Sequence, residues 1–427
     1  MKKLFVLFIL FMVSIVEVKA QNEQIEGIFY TLHQWGDGRG TATVERGDNN
    51  MTSKTYVGNI VIPSEITWRD MTFEVTEIGY SAFSGCGNLT SITIPASINT
   101  IKSNAFENCT GLTSVYIYNL SVWCNIFFYN DKSNPLKFAH HLYLNDKEIT
   151  DLTIPDDVTF LSDYVFEGCS GLTSLSISNN IKSISSLAFS GCSGLTSINI
   201  PNNITTIGYG AFQNCEGLTS VTIPNSVTSI REKAFEGCSS ISSVNLHTNK
   251  IESWFKGLPS IKEIVIGDEV TTIGNSAFEG CTGLTSIDIP KNITSIGYSA
   301  FHGCSGLASV SIHTAKIESW FSGLSSIKEV TIGEEVTSIG NSAFSYCKGI
   351  STIKIPENVT SIGSSAFSGC STLETLKIPN GVNSIGSSAF KGCNSLKSIE
   401  IPNNLTTIND NVFYGCGLTS LNIPNSI

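Results

Sequence analysis

Apolar and polar residues alternate along this chain in short runs that break and restart, and the pattern recurs with a 23-residue step. Leu195-Thr196-Ser197-Ile198-Asn199-Ile200 is one such run, with Ile198 and Ile200 at inward positions, which predicts a half-buried strand. Pro201 cannot donate to a ladder and ends the strand, and Asn202-Asn203 supplies turn chemistry. Ile204 and Ile207 turn inward again, and Gly208 opens the next bend. Tyr209 to Cys215 is too short for a full helix, but one helical or 3₁₀ turn puts Phe212 and Cys215 on one face.

The repeat phenylalanines, from Phe83 to Phe413, give the register. One unit has too few apolar residues to bury its own face, so the units must stack into a single elongated body, a repeat solenoid. Each unit is expected to give one strand, and successive strands to lie parallel in one sheet, with centres from Ile92 through Ile198, Ile353 and Ile399 to Leu421. Short helical or 3₁₀ turns occupy the far side.

Three stretches depart from the period. Residues 21–78 carry turn clusters at Gly36-Asp37-Gly38-Arg39-Gly40 and at Arg46-Gly47-Asp48-Asn49-Asn50, beside short runs at Thr41 to Val44 and Tyr56 to Ile62. They are expected to form an antiparallel β cap over a solenoid spanning 79–427. The units holding Ile251 to Leu258 and Ile317 to Leu324 are shortened copies of each other, with Trp254 and Trp320 in place of the repeat alanine as core bulk. A long irregular unit runs from about 116 to 151, and Asn145-Asp146 is expected to turn a hairpin there into Ile149 to Ile154. The last unit is partial at Ile427, which predicts either an end packed on another molecule or a truncated product.

Composition adds the setting. Lys2 and Lys3, the apolar run Leu4 to Val16, and Val18-Lys19-Ala20 read as a signal peptide over 1–20, cut before Gln21. That run is too short to span a membrane. The net charge is −11, and the leader holds more basic than acidic groups, so the remainder is more acidic still. Without a basic stripe, nucleic acid and anionic membrane are poor partners.

The pattern L-x-S-I-x-I-P-x-x-V-T-x-I-G-x-x-A-F-x-x-C, carried by about residues 57–427, resembles the BspA-like (Treponema-type) leucine-rich repeats of bacterial surface and secreted proteins. The resemblance implies a curved or gently twisted solenoid with its parallel sheet on one face. Some members are described as adhesins that bind matrix proteins or other cells.

Candidate chemistry is sparse. Twelve of the 13 cysteines sit three residues after a repeat phenylalanine. In a secreted chain this invites disulfides, but parallel Cβ vectors in register do not face each other. Leu258 and Leu324 take the cysteine position in the short units, so buried thiols are expected, with Cys124 the exception that is more open to reaction. His140-His141, with Asp131 nearby in sequence, suggests a metal pair, yet adjacent strand residues point to opposite faces. No nucleophile, Walker or dinucleotide motif occurs, so neither an enzyme nor a cofactor is expected. Arg46-Gly47-Asp48 resembles the tripeptide that integrins read, and is also ordinary turn chemistry.

Two surfaces remain for a partner. The variable outward column of the sheet includes Tyr116, Lys354, Lys377 and Glu400. The long unit gathers Trp123, Tyr129 and Tyr143, with Phe127 and Phe138 expected to fill its core. The expectation is a non-catalytic secreted or cell-surface interaction protein, adhesin-like, binding a protein through the solenoid face. The alternative is a carbohydrate-binding or scaffold component of a bacterial surface complex, with the aromatic insertion as its contact.

Overall fold

The computed structural model describes residues 18–35, 39–47 and 56–427. The chain forms two compact units, one of Met1–Ile149 with Leu161–Gly171 and one of Thr150–Phe160 with Leu172–Ile427. The expected leader lies outside the described residues up to position 17, as do Gly36 to Gly38 and Asp48.

The first unit opens with β1 (Val18–Ile25), β2 (Ile28–Gln34), β3 (Gly40–Glu45), β4 (Gly58–Val61), β5 (Glu65–Trp68) and β6 (Met71–Ile78). Val18 to Ala20, placed in the leader by sequence, pair with Leu32 to Gln34 across β1 and β2. The cap is antiparallel through β1, β2 and β3 and again between β5 and β6. β3 and β6 run parallel, however, and β4 pairs in parallel with β7 (Leu89–Ile94), so parallel rungs begin inside the stretch assigned to the cap. Tyr56 closes the ring stack at this end: its ring meets that of Phe83 at 4.7 Å, its hydroxyl donates to Glu45 O at 2.7 Å, and it accepts from Phe29 N at 3.1 Å.

The rest of this unit holds β8 (Thr100–Ile101), β9 (Ser114–Ile117), α1 (Leu120–Asn125), β10 (Phe127–Phe128), α2 (Leu136–Ala139), β11 (Leu142–Leu144) and β12 (Lys147–Glu148). The long stretch proves to be a further turn of the same coil in unfamiliar sequence. Leu142 lies in register with Val115, Phe128 with Ile101, and Lys132 O accepts from Phe106 N, as an alanine carbonyl does for Phe83. The Asn145-Asp146 turn is formed, with φ of 50° and 63°, which is type I′ geometry, but the returning strand is Lys147–Glu148 and not Ile149 to Ile154.

In the second unit each ordinary turn has three sides. The first is the expected strand, as in Ser197–Asn199, whose Ile198 pairs with Leu175. Pro201 O then accepts from Ile204 N at 3.1 Å, closing a tight turn. The second side is a short strand that sequence reading missed, as in Thr206–Ile207, paired with Ser183–Ile184 and Ser229–Ile230. The expectation of one strand per unit is corrected on this point: the T-x-I pair is long enough to exchange ladder bonds although too short to show alternation. The third side is the Phe-Cys turn, where Cys215 N bonds Phe212 O and Leu218 N bonds Cys215 O.

Inside the coil, identical positions stack. Ile204, Ile207, Phe212 and Cys215 are fully buried, and Phe212 lies 5.6 Å from both Phe189 and Phe235 with nearly parallel rings. Phe255 and Phe321 of the short units join the same column, at 5.3 Å from Phe235 and 5.5 Å from Phe301. The hydrogen-bonded ladders are less continuous than the core. The long-strand sheet breaks after Glu263–Ile266 and after Glu329–Ile332, and the short-strand sheet breaks after Ser229–Ile230 and after Ser295–Ile296. All four breaks flank the short units. At Ile353 the ladder is reduced to an isolated Thr352–Thr375 bridge, and no strand forms at Leu421.

Candidate functional site

Aromatic side chains gather on two faces of the first unit. On the long-strand sheet, parallel pairing sets Val61, Thr93, Tyr116 and Tyr143 in one outward row. Tyr116 and Tyr143 stack at 4.8 Å, and both are half-buried. Beside them His141 Nδ1 lies 2.6 Å from Glu148 Oε1. His140 points elsewhere, with its Nδ1 2.9 Å from Gly168 O, because it caps α2 in the left-handed conformation at φ 65°. The two histidines therefore share no site, and among the described residues no cluster of three or more His, Cys, Asp or Glu side chains suits a metal.

The second face is built around Tyr129. Pairing of β10 with β8 carries Phe127 outward beside Thr100 and Phe128 inward beside Ile101. Phe127 is 57% exposed, which corrects the expectation that it fills the core: it occupies the outward phase of a two-residue strand. Tyr129 lies 5.1 Å from Phe127 and 6.0 Å from Tyr80, both edge to face. Lys102 Nζ sits 5.1 Å from the Tyr80 ring centre and 2.8 Å from Glu77. Burial pulls the Lys102 ammonium down, but the bond to Glu77 and the nearby Tyr80 outweigh it and hold the group above its ordinary value. The result is a cluster of three exposed aromatics around one fixed cation. Sequence reading missed Tyr80 and Lys102. The available signal was the I-G-Y step, since Tyr80, Tyr209 and Tyr298 all follow the bend glycine and all are exposed.

Trp123 is a core residue, and its place among partner contacts is corrected. It is 1% exposed, its indole donates to Val165 O at 3.1 Å, and its ring meets Phe128 at 5.5 Å. Asn119 accepts from Val122 N and so starts the short helix that turns Trp123 inward. Phe138 is half-buried. In the second unit Lys354, Lys377 and Glu400 are exposed, Lys377 stands in register with Glu400, and its Nζ lies 3.9 Å from Glu357. Such a pair in water contributes little.

The ladder cysteines are packing groups. Thiols including those of Cys109, Cys215, Cys347 and Cys416 donate to the carbonyl of the phenylalanine one turn back, for example Cys215 to Phe189 O at 3.2 Å and Cys347 to Phe321 O at 3.1 Å. Burial pushes Cys109, Cys238 and Cys304 up to about 12. Cys124, expected to be the more reactive, is fully buried. Trp254 and Trp320 are half-buried, not core-filling, and each indole N–H is shut from solvent without an acceptor among the described residues.

A leucine-rich repeat protein from Bacteroides ovatus is similar over 90% of this chain and 95% of its own, at 26% identity and a TM-score of 0.49. A leucine-rich cell surface protein from Faecalibacterium prausnitzii is 25% identical over 95% of this chain and 94% of its own, with a TM-score of 0.30. The pneumococcal vaccine antigen PcpA is 17% identical over 95% of this chain and 100% of its own, with a TM-score of 0.42. No curated protein matches the chain. Among the described residues no helix is long and apolar enough to cross a membrane. The model for the BspA-type leucine-rich repeat region matches residues 62–143, 137–254, 252–322 and 317–427, so the chain belongs to the BspA-type leucine-rich repeat family.

Proposed function

We propose that this is a non-catalytic, secreted or cell-surface bacterial interaction protein, adhesin-like, that holds a protein partner on the aromatic cluster of Tyr80, Phe127 and Tyr129. The observation that carries this reading is their joint exposure, at 58%, 57% and 45%, on rigid rungs of the coil. Aromatic side chains held in place lose little entropy on binding and dominate the energetics of protein interfaces. Lys102, fixed by Glu77, adds a directed cation at the edge of the cluster. The half-buried Tyr116–Tyr143 stack and the exposed Lys354, Lys377 and Glu400 column are secondary contacts in this reading.

The test is surface plasmon resonance of the full chain against a panel of purified matrix proteins, each before and after enzymatic deglycosylation. Saturable binding that survives deglycosylation, and that weakens at least tenfold in Phe127→Ala or Tyr80→Ala, supports the proposal. Binding that vanishes on deglycosylation favours a carbohydrate-binding component. Binding indifferent to both substitutions overturns the site.

A further inference from the structure

The turn side of the second unit carries a regular backbone ladder. Ser276, Phe278 and Gly280 donate their N–H groups to Tyr298, Ala300 and His302 carbonyls at 2.8–3.0 Å. Ser342, Phe344 and Tyr346 do the same toward Ser364, Ala366 and Ser368. The step from the Tyr298 turn onto the short unit lacks these bonds: the N–H groups of Ser299, Phe301 and Gly303 have no acceptor among the described residues. Ser295–Ile296 has no strand partner on that side either.

The cause is length. Ile296 to Phe301 contains one residue more than Ile317 to Phe321, and Ser299 is left-handed at φ 57° while the short turn has no such residue. The rings still stack, but the two turns cannot track each other. Between them lies a cleft of about 420 Å³, lined by Tyr298, His302, Glu318, Ser319, Trp320 and Ser322. Tyr298 is 86% exposed beside it, and the buried indole N–H of Trp320 lacks an acceptor among the described residues. This volume is in the range of small-molecule sites, about 300–1,000 Å³.

We propose that this cleft binds a neutral saccharide. Its walls offer two aromatic rings for the apolar face of a pyranose. Of the open N–H groups, that of Ser299 belongs to a residue lining the cleft and can donate to hydroxyl or ring oxygens, which accept, while Glu318 accepts from hydroxyls, which donate. A ligand that must both accept and donate many hydrogen bonds meets this set, and an anion does not, because Glu318 opposes it and no lysine or arginine lines the cleft. The other short unit serves as an internal control. There the N–H groups of Lys233, Phe235 and Gly237 likewise have no backbone acceptor among the described residues, but the turn reads Arg231-Glu232-Lys233, with Lys233 paired to Glu236 at 3.6 Å. Charge replaces the glycine and tyrosine that shape a sugar platform. This site is independent of the aromatic cluster in the first unit.

The experiment is titration calorimetry of the full chain with maltotriose, cellotriose, xylotriose, mannotriose and chitotriose, and with trigalacturonate as the acidic comparison. Saturable binding of at least one neutral trisaccharide is expected, weakened at least tenfold in Tyr298→Ala and in Glu318→Ala, retained in Tyr298→Phe, and unchanged in Trp254→Phe. Far-UV circular dichroism of each variant confirms the fold. The proposal is overturned if no neutral trisaccharide binds, if trigalacturonate binds best, or if Tyr298→Ala and Glu318→Ala bind as the wild type does.

Discussion

Replacing Phe367 by alanine tests the packing logic at its centre. Phe367 is fully buried, with Phe344 at 5.5 Å on one side and Phe390 at 5.7 Å on the other. An aromatic ring of this kind removes about 150–250 Å² from water, worth roughly 4–6 kcal/mol at ~25 cal/mol/Å². Truncation to alanine in a close-packed core typically costs about 3–5 kcal/mol. Phe413 is half-buried and has one stacked neighbour, Phe390 at 5.9 Å, so the same change there should cost about 2 kcal/mol. Each turn contacts only its neighbours, so the damage should stay local. Native-state hydrogen exchange is the suitable assay, because it reads stability turn by turn. Amides around residues 344–390 should lose protection in Phe367→Ala, and those around 189–212 should keep it. Equal losses along the whole second unit, or a cost below about 1 kcal/mol at Phe367, would refute the reasoning.

Native alkylation should reach Cys416 first: it is half-buried and held below the ordinary thiol value by the neighbouring Cys393 thiol, whereas burial lifts Cys281 to about 11 and Cys304 to about 12; equal labelling rates by peptide mass spectrometry would contradict this. Burial raises Glu167 from 4.5 to about 7 although Lys137, 3.1 Å away, lowers it. A carboxyl with a raised folded-state pKa favours folding below pH 4.5, and that contribution is lost as pH climbs to 7, by at most about 3 kcal/mol. Glu167→Gln should therefore gain stability over the wild type at pH 8 but not at pH 4.5, and thermal melts that show no such difference would count against it. Tyr56→Phe removes the hydroxyl that joins Glu45 O to Phe29 N and should cost about 1–3 kcal/mol, read as faster exchange in β2 and β3.

Much of the coil was legible because one physical rule repeats. Ile198, Phe212 and Cys215 meet their own copies, so their spacing states both register and core. Two features escaped that rule. The short strand at Thr206–Ile207 is two residues long, and alternation needs more length to show. The turn hidden in the long unit uses Phe128, Lys132 and Leu142 where other turns use the repeat residues, so only backbone pairing reveals it. The aromatic insertion stands out in the sequence, but its inside and outside were exchanged. Trp123 turned inward because Asn119 starts a helix, and Phe127 turned outward because Phe128 took the core phase. The breaks beside Trp254 and Trp320 follow from a one-residue shortening that is visible in sequence, yet its consequence, a row of open N–H groups, depends on which carbonyls the next turn presents.

Photo-crosslinking tests the proposed partner surface most directly. A benzophenone amino acid is placed at position 127, or separately at 377 or 400, and the full chain is irradiated with whichever matrix protein binds it. The account predicts an adduct from position 127 that excess unlabelled chain competes away. Adducts from 377 or 400 with none from 127 would contradict it.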